Sequence, residues 1–369
     1  MSEWREVALG EVLTLQRGFD ITKKMQRPGS IPVVSSSGIS SFHDEARAEG
    51  PGVAIGRKGS LGTAFFLPSS FWPHDTTLWV KEFKGNDPYF CYLALKTLRL
   101  GELDAGSSNP TLNRNHAHLL PVGVPSVATQ RRIAAVLSAF DELIEINERR
   151  IEVLEDLARS LYREWFVRFR FPGHEAVEFV DSELGPIPER WEALRLGEIA
   201  QLRYGRSLPA TKRRPGPFAV VSSAGVVGEH DDALVEGPGI VLGRKGNVGS
   251  VWWLDDDFFP IDTTYYVTSD LPLGFLYWQL SDLQFDNSHA AVPGLSRDHA
   301  NSLLVIRPDQ ATVRRFGEHH MRVFNAIAVL SAQSEALIAT RDLLLPRLVT
   351  GRLEISDIDL GALLPAEAA

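Results

Sequence analysis

Two short loops, Gly56-Arg57-Lys58-Gly59 and Gly243-Arg244-Lys245-Gly246, hold the residues best suited to chemistry, since each places two cations between glycines. Glycine lets backbone amides come close to a ligand, while arginine offers a planar donor fork and lysine a point charge. The group that fits such a loop is a phosphate or a base edge. A bidentate arginine can read guanine while the lysine neutralises phosphate. A tight hairpin with solvated cations fits the same letters. Neither loop has the Gly-x-x-x-x-Gly-Lys-Ser/Thr spacing of a nucleotide-binding P-loop.

Other repeated groups are less telling. Asp75-Thr76-Thr77 and Asp262-Thr263-Thr264 can mark a turn that holds backbone, with Thr76 and Thr263, against a polyanion; a structural Asx-turn opening a strand is the alternative. His43 and His230 each precede an aspartate, but a His-Asp pair without a nucleophile or a ligand set makes no active site. There are no paired carboxylates at matching positions and no Asn-Pro-Pro-Tyr-type methyltransferase motif.

The loops belong to a long internal repeat. Gly50 to Gly62 returns as Gly237 to Gly249 with eight of thirteen positions identical, an offset of 187. The offset holds without a gap from Trp4 (Trp191) through Leu9-Gly10-Glu11 (Leu196-Gly197-Glu198), Gly18 (Gly205) and Val33-Val34-Ser35-Ser36 (Val220-Val221-Ser222-Ser223) to Pro73 (Pro260). Solenoid periods run roughly 20 to 50 residues, so this is a duplicated domain, each copy large enough for its own core. The basic stretch Lys23-Lys24-Met25-Gln26-Arg27 and its counterpart Ala210-Thr211-Lys212-Arg213-Arg214 diverge while staying basic, as either selective loops or solvated ones would. Pro110 to His116 answers Pro293 to His299 at an offset of 183, which adds Asn109, Arg114 and Arg297 to the candidate contacts.

Composition, 44% hydrophobic and 23% charged, is that of a soluble protein. No membrane-spanning run and no N-terminal signal is read, so the expected address is cytoplasmic. A single cysteine, Cys91, excludes an intramolecular disulfide and a cysteine zinc site. The net charge of -9 does not decide against a polyanion, because the cations gather in the repeated loops while acids crowd the helices.

Between and after the copies lie helical segments. Residues 129–170 contain no glycine or proline, and Ile133, Phe140, Asn147, Leu154 and Leu161 recur every seven residues beside Leu137, Ile144, Ile151, Ala158 and Trp165. Such spacing is a heptad seam. Phe316, Val323, Leu330, Leu337 and Leu344 repeat it near the C-terminus, with Ile327 and Leu348 from a second series weakened by His320, Ser334 and Arg341. A looser seam or contact with another chain explains those polar positions equally. Asn147 either fixes the register or is solvated. Helices of roughly 40 residues run about 60 Å, and two of them in one chain pair most simply antiparallel.

The fold class read here is α/β (α+β): two homologous globular domains joined by two long helices forming an antiparallel coiled coil, with pseudo-two-fold symmetry. The segments are domain one at 1–128, central helix 129–170, linker 171–190, domain two at 191–312, C-terminal helix 313–353 and tail 354–369. Within the copies, strands are expected at Val7–Gln16, Ile31–Ser35, Gly52–Ile55, Thr63–Leu67, Thr77–Val80, Val122–Pro125 and Val305–Pro308, and helices at Pro88–Arg99 and Gly274–Leu283.

The order of these parts, with Leu157-Ala158-Arg159-Ser160-Leu161-Tyr162-Arg163-Glu164-Trp165-Phe166, Ser182-Glu183-Leu184-Gly185-Pro186-Ile187-Pro188-Glu189-Arg190-Trp191 and the closing Leu344-Leu345-Pro346-Arg347-Leu348-Val349-Thr350-Gly351-Arg352-Leu353, resembles the specificity subunit of type I restriction-modification systems over essentially the whole chain. The resemblance implies two target recognition domains that each read half of a split double-stranded DNA site, with the coiled coil as a ruler. It implies two adenine-methylating modification subunits as partners and up to two restriction subunits. S-adenosylmethionine, ATP and Mg would belong to those partners, and this chain would hold no cofactor, no metal and no catalytic residue. Rival readings are an enzyme with duplicated active sites and a specificity protein serving a different machine.

Overall fold

Leu9-Gly10-Glu11 shows how local chemistry divides what reads as one extended run. The Glu11 carboxylate accepts the Ala8 amide at 3.2 Å and closes a single helical turn, Leu9–Val12, between the strands Arg5–Ala8 and Thr14–Arg17. Leu196–Ile199 repeats the device through Glu198. The expected strand Val7–Gln16 is therefore two strands and a turn. The computed structural model describes residues 4–103, 110–285 and 294–355. Asn109, Pro293 and the tail beyond Ile355 lie outside the described residues.

The chain divides into two units, residues 1–147 with 333–369, and residues 148–332. In the first, Arg5–Ala8 pairs antiparallel with Pro121–Val124. A four-stranded antiparallel sheet runs Thr14–Arg17, Thr77–Glu82, Gly52–Gly56, Ala64–Leu67. A three-stranded sheet runs Gly38–His43, Ile31–Ser35, Trp72–Pro73, the last pair parallel. Gly52–Gly56 is buried throughout, and its period-two alternation sends Val53 and Ile55 to the larger core and Ala54 to a smaller one with Val34, Phe71 and Trp79. The helix Pro88–Thr97 covers the larger core; Asp87 caps it by accepting the Phe90 amide at 2.9 Å, a bond worth about 1 kcal/mol. Cys91 is buried there, and burial pushes its thiol up to about 12.

The second unit repeats this order. Glu192–Arg195 pairs with Leu304–Arg307, a four-stranded sheet runs Gln201–Tyr204, Thr264–Thr268, Gly239–Gly243, Val251–Leu254, and a three-stranded one runs Gly225–His230, Phe218–Ser222, Phe258–Pro260. Ile240 and Leu242 enter the larger core and Val241 the smaller, as in the first copy. Residues 171–190 carry the short hairpin Phe179–Val180 with Ile187–Pro188, and Phe171 and Ile187 join the core of this unit.

The central helix runs Val127–Tyr162 and continues as one wide π turn, Arg163–Val167, which lets Tyr162, Trp165 and Phe166 all face the core. The C-terminal helix runs Gln310–Val349. In the first unit Ile133, Leu137 and Phe140 share a core with Leu345, Leu348 and Val349, and Leu337 and Leu344 pack against it. Farther along, Asp141 takes an ion pair from Arg341 at 2.6 Å, so the two helices run antiparallel there. In the second unit Tyr162 and Trp165 make edge-on ring contacts with Phe316, while Leu161, Val323 and Ile327 pack partly buried against that core. Ile144 and Asn147 are buried, Ile151, Leu154 and Leu330 half-buried. The seam positions therefore face inward along both helices.

Two of the polar seam residues, Arg341 and His320, have partners inside the chain. Arg341 also pairs with Asp342 at 2.8 Å, and the Tyr89 hydroxyl donates to the other oxygen of Asp141. His320 is stacked on Phe324, with ring centres 4.0 Å apart, and its Nδ1 accepts from Trp278 Nε1 at 3.2 Å. Ser334 is buried with no hydrogen-bond partner among the described residues. One expectation is overturned: the C-terminal helix is long and apolar enough, by length and composition, to cross a membrane. Its seam leucines and isoleucines, with alanines between them, produce that run, and its Phe316, Leu345 and Leu348 lie in the cores just described.

Two outcomes follow from these joints. Arg341→Met strands a carboxylate that is about two-thirds buried, and partial exposure discounts the loss to about 1 to 2 kcal/mol of the first unit's stability, read from its urea transition. Burial pushes the His320 imidazole down to about 4, and protonating Nδ1 would oppose the Trp278 donor. The unfolded chain then takes the proton first, so stability should fall by about 1.4 kcal/mol per pH unit as pH drops from roughly 6.5 toward 4. In His320→Gln that slope should vanish from the second unit's unfolding.

Candidate nucleic-acid interface

Gly56-Arg57-Lys58-Gly59 leaves the end of the buried strand and turns back toward Ala64–Leu67. A Cβ on Gly56 would lie 1.9 Å from the Ser60 carbonyl oxygen, and Gly59 has φ +73°, so both ends of the turn require glycine. Gly243 and Gly246 repeat this, with 2.2 Å to the Asn247 carbonyl oxygen and φ +77°. The Thr76 carbonyl accepts both the Arg57 and the Lys58 amides, at 2.8 and 3.2 Å, and the Arg57 carbonyl accepts the Leu112 amide at 2.9 Å. In the second copy Thr263 takes the Arg244 and Lys245 amides at 2.9 and 3.0 Å, and Arg244 takes that of Leu295 at 2.8 Å. Two distant segments are thereby fixed around each cationic loop.

The threonine hydroxyls are engaged within the frame. Thr76 Oγ1 accepts the Ser36 amide at 3.3 Å and meets His74 Nδ1 at 2.9 Å; Thr263 Oγ1 accepts the Ser223 amide at 3.4 Å. The neighbouring Thr77 and Thr264 hydroxyls close the turn by donating to the His74 and Ile261 carbonyls at 2.7 and 2.8 Å. The Asp-Thr-Thr turn is thus closed by threonine rather than by the aspartate.

Asp75 instead receives Arg17 Nη2 at 2.9 Å. Burial alone would raise this carboxyl, but the Arg17 bond and the charges of His74, Arg17 and Lys58 hold it below the usual range. Arg57 is lowered, first by burial and then by the nearby Arg17 charge. A cleft of about 460 Å³ lies beside these groups, lined by Arg17, Arg57, Asn113, Arg114 and His116 with Leu78 and Leu112. The structure thus brings Arg57 and Arg114 together and adds Arg17, a residue that sequence reasoning passed over because it stands alone in Thr14–Arg17 without a repeated partner.

In the second copy the same place holds Tyr204. Its ring lies 5.0 Å from the Arg244 guanidinium carbon and 5.3 Å from that of Arg297, bringing these two arginines together. Arg244 also donates to the Asp262 carbonyl at 3.1 Å. Lys245 is exposed and Lys58 half-exposed.

The divergent basic loops are separate features. Lys23, Lys24 and Lys212 are exposed and make no ion pair among the described residues, whereas Arg213 donates to the Val227 carbonyl at 2.6 Å. Each loop is latched by a pairing the sequence did not signal: Arg27 to Asp44 at 2.7 Å and Arg214 to Asp231 at 2.5 Å. His43 and His230 accept the Arg27 and Arg214 amides at 3.0 and 3.1 Å, so these buried imidazoles serve the latch. Asp20, His74 and Asp75 come close enough to hold a metal ion, but Asp75 is already paired with Arg17.

Residues 1–156 match the family model described as the type I restriction modification DNA specificity domain. The type I restriction enzyme MjaIX specificity subunit of Methanocaldococcus jannaschii is 25% identical over 301 residues, which is 73% of this chain and 70% of that protein. The EcoprrI specificity subunit of Escherichia coli is 25% identical over 147 residues, 38% of this chain and 37% of that one. The fold is similar to the crystal structure of the type I restriction-modification S subunit from M. genitalium, with a TM-score of 0.69 at 18% identity, covering 94% of this chain and 96% of that one. With a type I restriction modification DNA specificity domain matched over the first copy and the same hydrogen-bonded frame repeated in the second, the chain is similar over most of its length to the specificity subunits of type I restriction-modification systems.

Proposed function

We propose that this subunit reads a bipartite, asymmetric double-stranded DNA site, one short half-site for each of the domains 1–128 and 191–312, across a spacer of about six base pairs that leaves the half-sites near one helical turn apart. The observation that carries the reading is the same backbone frame built twice around cationic side chains whose surroundings differ. Equal frames imply one mode of approach to the duplex; unequal side chains imply unequal half-sites. Arg57, Lys58, Arg244 and Lys245 are the first candidates for contact with DNA, Arg114 and Arg297 stand beside them, and Lys23, Lys24, Lys212 and Arg213 belong to the flanking loops.

The two long helices serve as the spacer ruler and as the scaffold for two copies of the adenine-methylating modification subunit, joined by up to two restriction subunits. The methyl donor, ATP and Mg are held by those partners, and the complex works in the cytoplasm. Catalysis needs this chain only to bring the modification subunits to the site.

The double variant Arg57→Ala with Lys58→Ala should abolish methylation of the intact site, at least tenfold in rate, because a base-edge contact and a phosphate contact are lost together. Assembly with the modification subunit should persist, as judged by size-exclusion chromatography. Full methylation by the assembled variant would remove this loop from the DNA interface.

A further inference from the structure

One divergence sits inside the frame that the two copies share. Residues 17 and 204 occupy the same strand position, at the repeat offset of 187, and border the same cationic loop, yet one is arginine and the other tyrosine. We propose that this position sets the difference between the two half-sites, with Arg17 reading guanine in one and Tyr204 acting as the platform that aims Arg244 and Arg297 in the other. The inference rests on the DNA-reading role proposed above and adds the residue that selects.

Arg17 is exposed at the cleft, and among the described residues its guanidinium is bonded through Nη2, to Asp75 at 2.9 Å. A carboxylate behind an arginine fixes its rotamer and leaves the other guanidinium donors facing outward. Guanine N7 and O6 are the acceptor pair that such a fork matches in the major groove. The Asp75 carboxylate is equally needed, since without it a flexible arginine beside Arg57 would be driven off by like charge.

In the second copy the loss of this arginine changes the whole cluster. Asp262, the counterpart of Asp75, is exposed and makes no ion pair among the described residues. The two guanidinium groups are held over the Tyr204 ring at 5.0 and 5.3 Å. Neither Arg244 nor Arg297 faces a carboxylate partner among the described residues, so aromatic stacking replaces the ion pair as the device that orients donors. Tyr265, in place of Leu78, supports the ring from the core and anchors itself by donating to the Leu295 carbonyl at 2.9 Å. One copy thus presents a carboxylate-aimed arginine, the other two arginines aimed by a ring.

The test uses the full methyltransferase complex and maps adenine methylation across a genome for four subunits: wild type, Arg17→Lys, Tyr204→Phe and Tyr204→Ala. Arg17→Lys keeps the charge and loses the fork, so one position of one half-site should relax by about tenfold while the other half-site is unchanged. Tyr204→Phe keeps the ring and should retain the native motif; Tyr204→Ala should relax the opposite half-site. A motif unchanged in Arg17→Lys and Tyr204→Ala would overturn the proposal. So would a uniform loss of methylation with the motif intact, because that is the signature of a phosphate contact. A wild-type complex showing no two-part motif dependent on this chain would instead sink the DNA-reading function itself.

Discussion

A single carbonyl oxygen organises each domain's surface. Thr76 accepts two consecutive amides, those of Arg57 and Lys58, and Thr263 does the same for Arg244 and Lys245. Two like-charged side chains on adjacent residues repel, and a free loop would splay them. Pinning both amides to one acceptor, and the preceding glycine against a facing carbonyl, fixes the backbone from which the two side chains leave. The rest of the fold supplies what this requires: a buried central strand to launch the loop, a threonine-closed turn to present the carbonyl, and the Leu112 or Leu295 segment to hold the far side. The backbone cost of ordering such a turn, of the order of 1 to 2 kcal/mol per residue, is met by the core beneath and not by the ligand.

The domains and helices meet through polar joints that differ between the copies. In the first unit Gln130, fully buried on the central helix, donates to Asn86 and to the Pro125 carbonyl and accepts the Asp87 amide, while Arg341 and Tyr89 converge on Asp141. In the second, an aromatic group of Trp253, Tyr277, Trp278 and Phe324 surrounds the neutral His320. An ionic joint tolerates partial hydration; an aromatic one excludes water and forces the imidazole to stay uncharged. The same architectural task is solved by two kinds of chemistry.

How much of this the sequence disclosed follows from where repetition and periodicity were strong. The offsets of 187 and 183 laid out the two copies, and heptad spacing located both long helices, the segment 129–170 overrunning Val127–Tyr162 and its π turn to Val167, and 313–353 lying close to Gln310–Val349. Gly38–His43 escaped notice because its serines and histidine hide a strand that is half solvent-facing, and the turn at Leu9 escaped because a capping carboxylate outweighs β-branched neighbours. Arg17 and Tyr204 escaped for the opposite reason: a search for repeated residues discards whatever the two copies do not share. His43 and His230 were visible as a repeat but carry structure, since their acceptor nitrogen meets a backbone amide.

That contrast separates two kinds of residue in a duplicated reader. Groups that build the frame must satisfy the same backbone donors in both copies, so glycines, the Asp-Thr-Thr turn and the latching arginine and aspartate recur. Groups that discriminate face outward and answer to the ligand alone, so nothing in the fold forces them to match. A cluster of like charges needs something to hold and aim it, here a carboxylate, as at Asp75, or a π face, as at Tyr204. Asp262 stands exposed where its counterpart is paired because the arginine it would have aimed is absent from that copy. Tyrosine for arginine at this position, with Tyr265 for Leu78 behind it, thus goes with a different arrangement of the donors while the backbone hydrogen bonds around the loop recur.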